Sequence, residues 1–136
     1  MTLRHPHALV RPLVLAAAVL VLVHAPAAQA EDKKPKPSYM PFSGLAASVA
    51  RGNGGYGVMS VDAGLDIPDP KLRDVAAEDM PRLYDAYGQV MRTFGASLLP
   101  GRVPDVDYLG RQLQAVTDQV LGRPGARVLL GGVMVD

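Results

Sequence analysis

The chain has 136 residues, no cysteine, three histidines and a formal net charge of +1 at pH 7. The histidines, His5, His7 and His24, all lie within residues 1–30, which have the pattern of an export leader. The remainder has neither imidazole nor thiol, which excludes the usual transition-metal ligands and nucleophile–base pairs and predicts a non-enzymatic protein without metal or cofactor.

Residues 1–30 have the three parts of a secretory signal peptide. Arg4 and Arg11 form the positively charged start, and residues 13–23 form the apolar centre. That centre is shorter than the roughly 20 apolar residues of a membrane-spanning helix. The pattern predicts a Sec-type signal that is removed, and retention as an inner-membrane anchor is the alternative.

The small-x-small end of the leader places the predicted cleavage between Ala30 and Glu31, with Ala28 as the second small residue. A cleaved or a retained leader puts the remaining chain in the periplasm, because the positive charges hold the start inside. A membrane is an expected partner only if the leader stays as an anchor.

Loss of the leader removes Arg4 and Arg11, so the net charge of +1 becomes −1, with acids and bases interspersed. This balance argues against nucleic acid or an anionic membrane as the main partner. Residues 31–38, rich in Lys and Pro, are predicted to be an extended linker. Residues 39–136 are long enough for one small domain with a modest core.

Two alternating segments predict an antiparallel hairpin. Residues 39–50 and 56–67 place apolar side chains at every second position. Asn53-Gly54 between them is a strong hairpin signal. Pro41 and Gly44 indicate that the first strand lies at a sheet edge or carries a bulge.

A long amphipathic helix is predicted after the second strand. Asp69 is the expected N-cap, with Pro70 at the first helical position. Pro81 must kink or divide this helix, so we expect a break near Met80 and a continuous helix over residues 82–98. The predicted buried stripe contains Leu72, Val75, Ala76, Met80, Leu83, Tyr87, Val90, Met91, Phe94 and Leu98.

The second half of the chain predicts another helix and a final strand. Asp105 or Asp107 caps this helix, and Gly122 ends it in the left-handed conformation. Residues 127–135 are apolar on both faces, so we expect a strand inside the sheet, shielded on both sides. The helix is expected to bury Val106, Leu109, Leu113, Val116, Val120 and Leu121.

The predicted element order is β-β-α-α-β. It indicates an α+β fold in which two helices pack on one face of a small antiparallel or mixed sheet.

Five residues are candidates for a partner-contact surface: Asp62, Asp66, Arg82, Tyr84 and Asp85. Asp62 and Asp66 share the outer face of the second strand about 13 Å apart, too far to share a proton or a single metal, so solvated edge charges are the alternative. Arg82 and Asp85 are expected to form an ordinary surface pair. No two carboxylates suggest a hydrolase, which would need a pair within about 5–10 Å.

Several segments resemble the FliL family of flagellar basal-body-associated proteins. The resemblance covers about a hundred residues, and none of its segments is catalytic. The segments are Tyr39-Met40-Pro41-Phe42 at the first strand, Gly55-Tyr56 entering the second strand, Asp69-Pro70-Lys71-Leu72 at the corner, Met80-Pro81-Arg82-Leu83-Tyr84-Asp85-Ala86 opening the main helix, residues 109–121 as the next helix and residues 128–135 as the last strand.

The resemblance implies a domain related to the stomatin-like fold and a non-enzymatic role around the stator units of the flagellar motor. The leader departs from the family, whose N-terminal helix normally remains in the inner membrane. The implied partner is a protein, at the flagellar motor or in another envelope complex, and a homo-oligomer is a further option. The alternative function is a small periplasmic ligand-binding or sensing domain with a pocket between helices and sheet.

Overall fold

The computed structural model describes residues 37–136. The predicted signal peptide, its cleavage site at Ala28, Ala30 and Glu31, and most of the predicted linker lie outside the described residues. The elements are β1 (Tyr39–Ala50), β2 (Tyr56–Asp66), α1 (Pro70–Glu78), α2 (Met80–Ser97), α3 (Val106–Leu121) and β3 (Arg127–Val135). Within residues 37–136, no helix has the length and apolar content needed to cross a bilayer.

The predicted hairpin is confirmed. β1 and β2 pair antiparallel from Tyr39 opposite Asp66 to Ala50 opposite Tyr56. Their turn depends on Gly54, whose φ of 81° suits glycine and whose N–H donates to the Arg51 carbonyl at 3.2 Å. The bulge expected in the first strand is also present, since the register shifts where the two residues Ser43 and Gly44 face one residue of β2.

The final strand lies at the edge of the sheet, so the prediction of a strand inside the sheet is wrong. The order is β1-β2-β3, with both pairings antiparallel, and β2 occupies the central position. Among residues 37–136, the helices cover one face of the sheet. The apolar side chains that β3 carries on the other face, Leu129 and Met134, therefore remain exposed to solvent.

The α+β class is confirmed, but the order is β-β-α-α-α-β because Pro81 divides the long predicted helix into two. Asp79 ends α1, where its N–H donates to the Val75 carbonyl at 2.9 Å. Met80 then starts α2, and Pro81 falls in its first turn, where the missing N–H has no intrahelical partner to lose. Three helices thus replace the two that were expected.

The helix ends follow the capping residues in the sequence. The Asp69 carboxylate accepts the Lys71 N–H at 2.9 Å, and the Asp105 carboxylate accepts the Tyr108 N–H at 2.9 Å. Gly122 ends α3 with a φ of 74°, as predicted. These caps set the directions of the chain around the helices that carry most of the core.

One core lies between the sheet and the three helices. Most of the predicted helical stripe is buried, but Val75 and Val106 are exposed, and Thr117 is buried although it was not predicted to be. Each fully buried Leu or Met contributes roughly 1.5–3 kcal/mol of transfer free energy. The residues most deeply buried are Met59, Leu65, Ile67, Leu72, Leu83, Tyr87, Met91, Leu109, Leu113 and Thr117.

Candidate functional site

The five predicted contact residues lie on opposite layers of the domain and do not form one surface. Asp62 and Asp66 lie on the outer face of β2, away from the helices, since their neighbours in the strand are buried against the helices. Arg82, Tyr84 and Asp85 lie on α2, in the helix layer. The structure therefore places the two strand carboxylates and the three helical residues on different layers, and their role in partner contact stays a prediction.

Tyr84 stabilises the start of β1. Its phenolic oxygen accepts the Ser43 N–H at 3.2 Å, and its ring centroid lies 4.8 Å from that of Phe42. Phe42 in turn packs against Tyr87, with 4.7 Å between ring centroids. The side chain of Tyr84 thus packs along the rim of the core and covers part of the β1 edge.

Arg82 pairs with Asp79 and not with Asp85, so that predicted pair is wrong. Its Nη1 lies 3.1 Å from the Asp79 carboxylate, and both carboxylates are three residues from Arg82. Helical side chains point back toward the helix N-terminus, where Asp79 lies, which favours Asp79 over Asp85. The Asp85 carboxylate instead accepts a long hydrogen bond from the Gln89 amide at 3.5 Å.

Asp62 lies between two bulges. Ser43 and Gly44 of β1 face it on one side, and Gly131 and Gly132 of β3 face it on the other, because both registers shift at this position. The carboxylate is exposed. Asp66, at the end of the same strand, has its own cation, with 3.4 Å between its carboxylate and Arg127 Nη2.

The outer face of the sheet carries exposed apolar side chains. Tyr56, Val58 and Met134 expose 78%, 49% and 61% of their surface, and we call them the outer patch. The register places Ser60 opposite Met134 and leaves Val58 diagonal to it, within reach of its side chain. Exposed apolar residues that cluster on one face are typical of a surface that binds another protein.

The two edges of the sheet differ in how much backbone they leave open. On β1, Pro41 has no N–H, the Ser43 N–H is bound to Tyr84, and the close approach of Gly95 in α2 covers the Ser48 carbonyl. On β3, the Gln114 amide oxygen accepts the Val128 N–H at 2.9 Å. Within residues 37–136, no strand pairs with the side of β3 that points away from β2. We call this side the open edge of β3.

The buried polar contact of the core joins α2 to α3. Tyr87 is fully buried, and its phenolic oxygen lies 2.6 Å from Thr117 Oγ1. The Thr117 hydroxyl donates to the Leu113 carbonyl at 2.7 Å, so the Tyr87 hydroxyl is the donor to Thr117. Burial raises the pKa of Tyr87 to about 12, which keeps the phenol neutral and makes this a structural contact.

Two open grooves run along α3. One of about 610 Å³ lies between α2 and α3, where Arg82 and Asp85 meet Val116 and Val120 of α3. Another of about 500 Å³ lies between α3 and β3. The second groove is lined by Val128 and Leu130, which lie on the inner face of β3, so it lies between a helix and the sheet, where the ligand-binding alternative places its pocket. That alternative stays a prediction.

Comparison with protein-family models, with curated proteins and with solved structures finds no match for this chain. The resemblance to the FliL family therefore stays a prediction.

Two surfaces were not anticipated from the sequence: the outer patch and the open edge of β3. The signal for the first was present, because Tyr56 and Val58 stand at alternate positions that should be polar if that face were only solvated. For the second, an apolar pattern on both faces predicts a strand inside the sheet, but an edge strand that pairs with another chain has the same pattern.

Proposed function

We propose that this chain is an exported, non-enzymatic protein-binding domain of FliL-like character. In this role it acts in the periplasm and supports the stator of the flagellar motor, or another envelope assembly, through protein–protein contacts. The segments that resemble the FliL family support the choice of assembly. The outer patch is the observation that carries the binding role.

The patch suits a protein partner better than a charged polymer. Its three exposed members, Tyr56, Val58 and Met134, are apolar or aromatic, and aromatic residues and Met are enriched in protein interfaces. The small polar residues Ser48 and Ser60 lie beside them, opposite Val58 and Met134 in the strand registers. Two exposed carboxylates lie next to the patch, Asp136 opposite Val58 and Asp62 beyond Ser60, so a partner must leave them in solvent or supply cations for them.

The test is complementation of a deletion strain, scored as swimming in soft agar. We expect deletion of the gene to reduce swimming and the wild-type gene to restore it. The double variant Tyr56→Ser with Val58→Ser should fail to restore swimming, because it removes most of the apolar surface of the outer patch.

The matched control is Leu99→Ser with Val103→Ser, which removes two exposed apolar side chains from the loop before α3. This control should restore swimming as the wild type does. Both purified variants should retain the wild-type circular dichroism spectrum. Unchanged swimming of the deletion strain would reject the motor role, and full complementation by the Tyr56/Val58 variant would reject the outer patch as the contact surface.

A further inference from the structure

We propose that two copies of this chain pair antiparallel through the open edge of β3, about a two-fold axis between Gly131 and Gly132. The two three-stranded sheets then form one sheet of six strands. The proposal does not depend on the FliL-like role, and it rests on the sequence, register and hydrogen bonding of β3.

Residues 127–136 are complementary to themselves when read in opposite directions. About an axis between the two glycines, Val128 faces Val135 of the second copy, Leu129 faces Met134, and Leu130 faces Val133. Arg127 then faces Asp136, so the only two charged residues of the segment meet as opposite charges. Opposite charges placed directly across a strand pair are favourable.

The faces of the sheet agree with this register. Residues that face each other in an antiparallel pair share one side of the sheet. Val128, Leu130, Val133 and Val135 pair with the inward-facing residues of β2, whereas Leu129 and Met134 pair with outward-facing ones. Every predicted pair therefore joins inner with inner or outer with outer, although a bulge separates the two halves of the strand.

The backbone groups also point the right way. The Asp136 N–H donates to the Val58 carbonyl at 3.0 Å, and peptide groups alternate between the two sides of a strand, so those of Val133 and Val135 point away from β2. The Val128 N–H, bound to Gln114, shows the same orientation before the bulge and places the groups of Leu130 on the open side. Leu130 can thus exchange both hydrogen bonds with Val133 of the second copy, whereas the Val128 N–H stays bound to Gln114 and makes no bond to Val135.

The bulge selects a second copy over an unrelated strand. Between Leu130 and Val133, β3 has two residues, Gly131 and Gly132, where β2 has only Asp62. A regular strand laid on this edge would lose its register at the bulge. A second β3 about the proposed axis brings the same bulge to the same place, so the pairs on both sides of it stay in register.

The test is disulfide trapping of the full chain, expressed with its leader and purified from the envelope fraction. The natural chain has no cysteine, so introduced cysteines have no competitor. Leu129→Cys and Met134→Cys are made as separate variants and oxidised alone and as a mixture. In the proposed dimer, Leu129 and Met134 face each other as a non-hydrogen-bonded pair with Cα atoms about 4.5 Å apart.

We expect a covalent dimer in the mixture and little in either variant alone. Like positions of the two copies are five residues apart along the strand, roughly 16 Å, which is beyond the reach of a disulfide. The control mixture of Leu129→Cys with Ser48→Cys uses an exposed outer-face position of β1, which the second copy does not approach. A Leu129/Met134 mixture that cross-links no better than the single variants, or no better than this control, would overturn the proposal.

A second measurement distinguishes an effect on the fold of the monomer from an effect on dimer formation. Val133→Pro removes an N–H that points away from β2, so the monomer should keep its circular dichroism spectrum. By symmetry the dimer loses two hydrogen bonds, and its dissociation constant in sedimentation should rise about tenfold or more. Val133→Thr keeps the N–H and should sediment like the wild type, and equal sedimentation of the Pro variant and the wild type would contradict the proposed pairing.

Discussion

The Tyr87 hydroxyl donates a hydrogen bond to Thr117 Oγ1 across the contact between α2 and α3, at 2.6 Å, and both side chains are fully buried. Removing either partner has unequal consequences. Tyr87→Phe leaves Thr117 bound to the Leu113 carbonyl and should cost about 1 kcal/mol of unfolding free energy. Thr117→Val leaves a buried phenol without an acceptor and should cost more, about 1–3 kcal/mol. Urea denaturation of both variants checks this order, and a reversed order would contradict the assigned donor.

The raised pKa of Tyr87 predicts a loss of stability in alkali. The unfolded chain releases the phenol proton near pH 10, whereas the folded chain holds it until about pH 12. The stabilisation is therefore fully present below about pH 10 and falls as the pH rises toward 12, by about 2–3 kcal/mol in total. Urea unfolding at stepped pH should show this slope in the wild type and a smaller one in Tyr87→Phe. Identical slopes would show that Tyr87 titrates normally.

The lowered pKa of Asp69 predicts a loss of stability in acid. Its carboxylate contacts Arg123 at 2.6 Å and the Lys71 N–H at 2.9 Å, and these contacts hold the pKa of Asp69 below its usual 3.8. Its contribution is present above about pH 4 and is lost as the pH falls through the lowered pKa. Asp69→Asn can still cap α1 but carries no charge. Its unfolding free energy should therefore depend less on pH in this range than that of the wild type, and an equal dependence would contradict the assignment.

Gly95 lies at a position in α2 that does not accept a side chain. A Cβ there would lie 2.8 Å from the Ser48 carbonyl oxygen and 3.0 Å from Ala47 Cβ. Gly95→Ala should destabilise the domain by about 1–3 kcal/mol through overpacking. Gly88 in the same helix is the control, because its Cβ would meet only the flexible end of Arg92, and Gly88→Ala should stabilise by up to about 1 kcal/mol. Thermal unfolding of both variants tests the contrast, and a neutral Gly95→Ala would mean that α2 and β1 are not in close contact there.

The Gln114 side chain links α3 to the start of β3 through two hydrogen bonds. Its amide accepts the Val128 N–H at 2.9 Å and donates to the Ala126 carbonyl at 2.8 Å. Gln114→Ala should cost about 1–2 kcal/mol and accelerate hydrogen exchange of the Val128 amide. Gln112→Ala, at an exposed position of the same helix, should change stability by less than about 0.5 kcal/mol. An unchanged hydrogen-exchange rate of the Val128 amide in the Gln114 variant would argue against this hydrogen bond.

The parts of the fold that depend on neighbouring residues could be predicted from the sequence. The turn at Asn53-Gly54 and the ends of helices at Asp69, Asp105 and Gly122 are decided by local backbone chemistry, and the structure has them where expected. The division at Pro81 was foreseen as one of two outcomes. The buried stripes followed from periodicity because one core receives them all.

What could not be predicted depends on tertiary partners. The position of β3 is set by which side of β2 remains free after β1 has paired, and a strand that is apolar on both faces does not encode this. Thr117 lies buried in the core, where its hydroxyl accepts a hydrogen bond from Tyr87, thirty positions earlier. Arg82 pairs with Asp79 and not with the equally spaced Asp85, because helical side chains point toward the helix N-terminus. The candidate surfaces are likewise properties of the assembled sheet.

The paired glycines of β3 also fix how this strand tolerates insertions and deletions. Because Gly131 and Gly132 together face one residue of β2, the segment before them is out of phase with the segment after them. Deletion of either glycine would leave one residue opposite Asp62, so the bulge would disappear while Val128 and Leu130 would still point at the helices and Arg127 and Leu129 at solvent. A change of one codon that removes no side chain would thus remove the bulge and keep every side chain of the strand on its face.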